Sequence, residues 1–151
     1  MDPLPLLEIA ATAIKGLDAL GKQSKGNSRA LILELKDNLL YLDMVAKDGV
    51  ELGDVIEKIS TVEFKRLSKE GYDFNRLKNS KIAKYPWLEG TNLSTWGGKR
   101  TDELIESIYE KLNELKICFP LVSGSAKKYR WKVRVNNIRR RIWLLLKHVR
   151  T

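Results

Sequence analysis

Apolar residues recur every three or four positions along four stretches of the chain, which is the period of an amphipathic α-helix. The pattern predicts main helices at about residues 3–20, 29–46, 102–117 and 126–149. Strand-like alternation is confined to the hexamer RWKVRV at 130–135, which lies inside a longer helical pattern. We therefore predict an all-α fold in which residues 1–151 form a single domain, an antiparallel bundle of four main helices.

The helix ends are predicted from capping residues and from proline. Residues 21–28, GKQSKGNS, are interpreted as the loop before the second helix, with Asn27 or Ser28 as its cap. Thr101 is the predicted cap of the third helix, and Pro120 is expected to end it. The segment after Pro120 is short, and this predicts that the third and fourth helices are antiparallel neighbours.

The first two helices differ in the faces that they offer for packing. The first is rich in alanine and glycine, which would allow another helix to approach closely. The second carries two apolar tracks on opposite faces, namely Leu31, Leu35, Leu39, Leu42 and Ala46, and Leu33, Leu40 and Met44. Apolar residues on two faces predict a central, heavily buried helix.

The middle segment, about residues 48–100, is irregular in its pattern. Two short helices are predicted within 51–59 and 61–71, the second ending near the glycine at 71. The loop-like stretch that follows is rich in aromatic side chains, namely Tyr72, Phe74, Tyr85, Trp87 and Trp96. Aromatic residues in a long loop are expected to pin it to the core.

Composition supports a soluble, intracellular protein of one domain. At 151 residues and 17.3 kDa, with 43% hydrophobic and 31% charged residues, the chain can bury a proper core. Its single cysteine excludes an intrachain disulfide. Asp2 stands where an export signal would carry lysine or arginine, and Glu8, Lys15 and Asp18 interrupt the apolar N-terminal stretch, so we predict no export signal. We expect a cytoplasmic location.

The positive charge is concentrated at the C-terminal end. The net charge is +9, yet residues 1–114 contain two more acidic than basic residues. Residues 115–151 contain 11 basic residues and no acidic one. Such an asymmetry indicates a polyanionic partner or an anionic surface, unless the basic helix lies beside an acidic helix of the same molecule.

One flank of the predicted fourth helix is the candidate nucleic-acid-binding surface. At 100° per residue, the apolar stripe of this helix faces the bundle, and a basic flank with one tryptophan lies about 120° away from it. Basic residues around an aromatic ring are typical of surfaces that neutralise phosphates and stack bases, and also of helices in lipid headgroups. The candidate residues are Lys132, Arg139, Arg140, Trp143, Lys147 and Arg150.

An acidic row on the third helix offers an internal alternative. Glu103, Glu106, Glu110 and Glu114 recur every three or four residues and could pair with the fourth helix, either with Arg134 and Arg141 or with the side of Lys132 and Arg139. The row is too small to match all ten basic residues between 127 and 150, so an excess of positive charge is expected at the surface. Trp143 is expected either in this surface or beneath the middle segment.

The sequence contains no recognisable catalytic or metal-binding set. His148 is the only histidine and Cys118 the only thiol, which excludes the usual zinc ligand sets and leaves almost no room for a nucleophilic triad. We expect Cys118 to be a buried structural thiol. Glu34 and Asp37 are interpreted as a solvated pair rather than a magnesium site. No cofactor is predicted, and we predict a protein that is not an enzyme.

One loop resembles a generic anion site. Gly97, Gly98, Lys99 and Arg100 combine backbone freedom with positive charge directly before a helix N-terminus. The spacing is not that of a Walker A loop, and no strand precedes it. A flexible loop with a helix cap is the favoured interpretation, and a weak anion-binding loop is the alternative.

Three functional hypotheses follow. The first is a non-catalytic binding module whose basic C-terminal helix contacts a polyanion, with nucleic acid as the favoured partner. The second is a protein-interaction or homo-oligomerisation module that uses the first helix. The third, and least favoured, is a peripheral binder of anionic membranes that uses the first helix and the basic flank.

Overall fold

The computed structural model describes residues 22–122 and 129–151, and this part of the chain is all-α. It contains five α-helices and two 3₁₀ turns, Phe74–Arg76 and Pro86–Leu88, and no strand among the described residues. The prediction of an all-α fold is confirmed. The helices are α1 (Lys22–Lys47), α2 (Leu52–Val55), α3 (Val62–Lys69), α4 (Thr101–Val122) and α5 (Trp131–Arg150).

The three long helices form the bundle. Helix α5 packs against both α1 and α4, as the predicted bundle requires. The inward faces are continuous rows of fully buried aliphatic residues, because leucine and isoleucine recur at helical spacing. These include Leu35 and Leu39 of α1, Ile108 of α4, and Ile142 and Leu145 of α5. The predicted helix at 3–20 lies outside the described residues.

The second face of α1 departs from prediction. Leu33 and Met44 are each 41% exposed and Leu40 is half-buried, so within the described structure α1 fully buries one face and not two. Residues predicted as a loop also belong to this helix, since α1 begins at Lys22. Ser28, expected as a cap, is buried and its Oγ lies 2.5 Å from the Tyr72 hydroxyl oxygen. One interior glycine costs a helix only ~1 kcal/mol, which such packing offsets.

The ends of the last two long helices also differ from prediction. Helix α4 continues through Pro120 to Val122. A proline one turn from a helix end removes a single backbone hydrogen bond, and the remaining turn can persist. Helix α5 begins at Trp131, and the residues at 126–128 that were predicted to open it lie outside the described residues. The strand-like hexamer is helical from Trp131 onwards, as predicted.

The start of the middle segment is held by two polar side chains of α1. Glu34 is 7% exposed, and its carboxylate accepts hydrogen bonds from Ser60 Oγ (2.9 Å), the Glu63 N–H (2.8 Å) and the Tyr109 hydroxyl (2.8 Å). Asn38 exchanges two hydrogen bonds with the backbone of Ser60. The prediction that Glu34 is solvated was wrong, because its carboxylate satisfies the otherwise unpaired N–H groups at the start of α3.

Aromatic side chains pin the middle segment to the bundle, as predicted. Phe64 stacks on Tyr109 of α4 with ring centroids 4.3 Å apart, and Phe74 stacks on Phe64 at 5.2 Å. Burial raises the pKa of Tyr109 well above its ordinary value, and the adjacent Glu34 carboxylate adds to the effect. The same segment then continues to the 3₁₀ turn Pro86–Leu88, where Leu88 is buried and Trp87 contacts Trp143 of α5.

Candidate nucleic-acid interface

The basic flank of α5 is partly open and partly covered. We use the name "basic flank" for Lys132, Arg139, Arg140, Trp143, Lys147 and Arg150. Lys132, Arg140 and Arg150 are exposed, whereas the other three residues are half-buried. The half-buried residues are those that meet other parts of the molecule, so the flank does not behave as one uniform surface.

Trp143 meets the middle segment. Its ring lies edge-on to Trp87, with centroids 4.5 Å apart, and Tyr85 stacks on the other indole at 5.6 Å. Lys147 Nζ lies 5.3 Å from the ring centroid of Tyr85 and 5.5 Å from that of Trp143. These cation–π contacts hold the ammonium group beside the rings while its charge remains unneutralised. The expected role of Tyr85 and Trp87 in packing the loop down is thus supported by these contacts.

Among the cations of the basic flank, Arg139 has its charge offset by a carboxylate. Its Nε donates to Asp43 Oδ1 of α1 at 2.6 Å, and its Nη1 donates to Asn136 Oδ1 at 2.8 Å. Asp43 is 5% exposed, and its Oδ2 makes no hydrogen bond to the described residues. The sequence pattern pointed to the acidic row of the third helix as the partner of these cations and did not single out Asp43. Asp43 lies on the same side of α1 as the buried residues Leu39 and Leu42, and this position was the sequence signal that it faces the bundle.

A groove of about 400 Å³ runs between α5 and the middle segment. We call it the indole groove, because Trp87 and Trp143 line it. Its cationic lining residues are Lys47, Arg139 and Arg140, and Asn136, Thr91 and Leu93 complete the wall. Such a volume lies within the ~300–1,000 Å³ typical of small-molecule sites. Lys47, Thr91 and Leu93 were not singled out from the sequence, because only the folded middle segment brings them to this place.

The acidic row of α4 absorbs little of the charge of α5. Arg134 Nη1 forms an ion pair with Glu114 at 3.0 Å, which confirms one of the two alternatives in part. Arg141, the other member of that alternative, is 9% exposed and donates from Nη1 to the Asn137 carbonyl oxygen. Burial lowers the pKa of Arg141. Glu103 instead accepts from the Arg100 N–H at the start of its own helix.

The loop predicted as a weak anion site uses its amides internally. The Gly98 N–H donates to the Ile82 carbonyl oxygen (2.7 Å), the Lys99 N–H to that of Trp96 (3.1 Å), and the Arg100 N–H to Glu103 (2.8 Å). Gly97 is required by close packing, since a Cβ at this position would lie 2.6 Å from Lys84 Cγ. The glycines therefore have a structural explanation.

The charged side chains beside these glycines are also engaged. Lys99 Nζ lies 4.7 Å from the Trp96 ring centroid, and Arg100 Nε donates to Asp102 at 3.0 Å. The hydrogen bond to Asp102 raises the pKa of Arg100. The amide of Asp102, the second residue of α4, donates to Asn75 Oδ1 at 3.0 Å. An anion at this helix N-terminus would have to compete with all of these contacts.

Comparison with known proteins gives no identification. No protein-family model, curated protein or solved structure matches the chain. A functional assignment therefore depends on the chemistry of the described surfaces.

The other titratable groups that the sequence singled out lie in structural positions. The Thr101 hydroxyl donates to the Lys78 carbonyl oxygen at 2.6 Å, so its oxygen accepts from His148 Nε2–H at 2.7 Å. Burial, together with the charge of Lys78, lowers the pKa of His148 to about 4. Cys118 is a free thiol and is half-buried rather than fully buried.

The described residues contain neither a metal-ligand cluster nor a membrane-spanning helix. Within residues 22–122 and 129–151, no group of three or more histidine, cysteine or acidic residues is placed to hold a metal ion. Among the same residues, no helix combines the length and the apolar character needed to cross a bilayer. The basic flank and the indole groove remain the surfaces with the most distinctive chemistry.

Proposed function

We propose that the protein is a non-catalytic nucleic-acid-binding module whose contact surface is the basic flank of α5. One observation carries the proposal. Lys132, Arg140, Lys147 and Arg150 form no ion pair with a carboxylate of the described residues, although the protein contains 19 acidic residues. Four cations left on one side of one helix are the arrangement that phosphate groups neutralise.

The aromatic residues beside these cations favour nucleic acid over a simple polyanion. Tyr85, Trp87 and Trp143 form a contiguous cluster against which Lys147 is held. Nucleic-acid bases stack on aromatic side chains, and each stacked base contributes ~1–3 kcal/mol. A polymer that carries only charge would leave this cluster unused.

The proposal is tested by charge reversal of the three exposed cations of the basic flank. The variant Lys132→Glu, Arg140→Glu and Arg150→Glu changes the net charge by six units. A matched control, Lys58→Glu, Lys65→Glu and Lys69→Glu, makes the same change at exposed lysines in and beside α3. Binding of fluorescein-labelled 12-nucleotide single strands and 12-base-pair duplexes is followed by anisotropy at low salt.

We expect the flank variant to lose at least about tenfold in affinity, because each lost phosphate contact also forfeits counterion release. The control is expected to lose much less, since it alters the net charge without altering the contact surface. Equal losses in the two variants, or no binding by the wild type, would contradict the proposal.

Two parallel arms examine the other functional hypotheses. Sedimentation with vesicles containing phosphatidylserine reports on anionic membrane binding, and light scattering at high concentration reports on self-association. Vesicle binding without nucleic-acid binding would favour the membrane hypothesis. A dimer that forms without any ligand would favour the oligomerisation hypothesis.

A further inference from the structure

We infer that the indole groove seats one unpaired nucleotide, so that the protein binds single strands in preference to duplexes. This inference rests on the proposed function and adds the form of nucleic acid that the surface selects. It concerns the space between α5 and the middle segment rather than the exposed cations alone.

The size and the walls of the groove fit one planar aromatic group. The groove has a volume of about 400 Å³ and is lined by Trp87, Trp143 and Leu93. Both indoles are half-buried, so part of each ring remains accessible. Pockets that bind small aromatic ligands are typically concave, mostly apolar and supplied with a few polar groups.

The polar groups of the groove mainly offer donors. Because arginine can only donate, the atom of Asn136 that meets Arg139 must be the carbonyl oxygen, which leaves the Asn136 amide nitrogen as a donor at the groove. The Thr91 hydroxyl donates to the Leu88 carbonyl oxygen and accepts from the Leu93 N–H, so it is already satisfied. No carboxylate lines the groove among the described residues.

A donor-lined groove selects an acceptor-rich ligand. The ring carbonyl oxygens of thymine and uracil are acceptors, and the adjoining phosphate is an anion. Arg140 lines the groove and is exposed, so it can contact such a phosphate while the base occupies the groove. Arg139 has its charge offset by Asp43 and serves instead to hold Asn136 in place.

Base pairing is incompatible with this mode of binding. In a duplex each base is stacked between neighbours and hydrogen-bonded to its partner, and it must leave the stack at a cost of a few kcal/mol to enter a pocket. An unpaired strand does not incur that cost. The groove therefore favours single strands, whereas the exposed cations alone act on any phosphate backbone.

The test compares probes that differ in whether a base is present and in whether it is paired. The probes are a 12-nucleotide oligothymidylate, a 12-nucleotide oligouridylate, an abasic 12-nucleotide strand with the same number of phosphates, and a 12-base-pair duplex. The groove variant is Asn136→Phe, which places a ring in the groove without changing the net charge. Its control is Ile117→Phe on α4, a position that is 55% exposed and outside the groove.

For the wild type we expect the oligothymidylate and the oligouridylate to bind about tenfold more tightly than the abasic strand, the gain from stacking one base. Asn136→Phe is expected to reduce the affinity for both of these strands to the affinity for the abasic strand. Ile117→Phe is expected to leave the preference for base-containing strands unchanged. Circular dichroism verifies that both variants are folded.

The wild-type comparison alone can overturn the inference, so the result does not depend on the folding of a variant. Equal affinity for abasic and base-containing strands would exclude a base in the groove while leaving the proposed function intact. Equal affinity for duplex and single strand would do the same. Absence of binding to every probe would overturn the proposed function and this inference together.

Discussion

Arg139 of α5 is paired with the almost fully buried Asp43 of α1, with Nε and Oδ1 2.6 Å apart. The contact joins two of the three long helices at the side of the indole groove. It also removes one cation from the basic flank. The same residue pair therefore stabilises the bundle and limits the charge available to a ligand.

Asp43→Asn is expected to affect stability and binding in opposite directions. It leaves the Arg139 guanidinium partly buried beside a neutral group, so the free energy of unfolding should fall by about 2 kcal/mol. Nucleic-acid affinity at low salt should rise by about threefold, since Arg139 regains its net charge. Urea denaturation and anisotropy measure the two quantities. Asp37→Asn changes the charge equally at an exposed site of α1 and should leave stability unchanged.

The buried hydroxyl of Tyr109 should contribute measurably to stability. Tyr109→Phe keeps the stack on Phe64 but removes the hydrogen bond to the Glu34 carboxylate. A hydrogen bond to a charged acceptor contributes ~1.5–3 kcal/mol, so we expect a loss in that range. Tyr72→Phe removes a neutral hydrogen bond to Ser28 and should cost less. A larger loss for Tyr72→Phe would contradict the stronger contribution assigned to the hydrogen bond between Tyr109 and Glu34.

Two glycine-to-alanine substitutions are expected to change the free energy of unfolding in opposite directions. At Gly97 a Cβ would lie 2.6 Å from Lys84 Cγ and 3.0 Å from its Cα, so alanine should reduce the free energy of unfolding by about 1–3 kcal/mol. At Gly26, within α1, a Cβ meets no atom within 4 Å, and alanine should increase stability by about 0.5–1 kcal/mol. Thermal denaturation gives the direction of both effects, and destabilisation by Gly26→Ala would contradict a helical backbone at this position.

Stability should decrease as the pH falls through the range set by His148. The folded protein holds this imidazole neutral with a pKa of about 4, below the ordinary value of 6.5, so the unfolded chain binds the additional proton between these values. The contribution is fully present above pH 6.5 and is lost towards pH 4, amounting to about 3 kcal/mol. Carboxylates titrate in the same pH range, so the pH dependence of the free energy of unfolding is compared between the wild type and His148→Gln. The neutral amide of glutamine should abolish the contribution of His148.

The fold class and the helix pattern could be predicted because they depend on local periodicity. The core positions of α1, α4 and α5 follow from the spacing of their leucines and isoleucines. The extent of α1 could not be predicted, because Ser28 is buried by Tyr72, more than forty residues away. Pro120 likewise misled the prediction, since one missing hydrogen bond near a helix end does not end the helix.

The candidate surface was only partly predictable for the same reason. Helical geometry is sufficient to place Lys132, Arg140 and Arg150 on one side of α5. It cannot show that Asp43 would neutralise Arg139, or that Trp87 would meet Trp143. Both contacts are made by segments distant in sequence. The groove between α5 and the middle segment is therefore a product of tertiary packing and has no signature in any one stretch of the chain.

The most direct test of the central claim is the salt dependence of oligothymidylate binding by the wild-type protein. If Lys132, Arg140, Lys147 and Arg150 neutralise phosphates, the plot of log K against log salt should have a slope of roughly −3, and Arg140→Gln should make it shallower by ~0.7. No binding at low salt, or a slope that Arg140→Gln leaves unchanged, would contradict the assignment of this flank as the nucleic-acid contact.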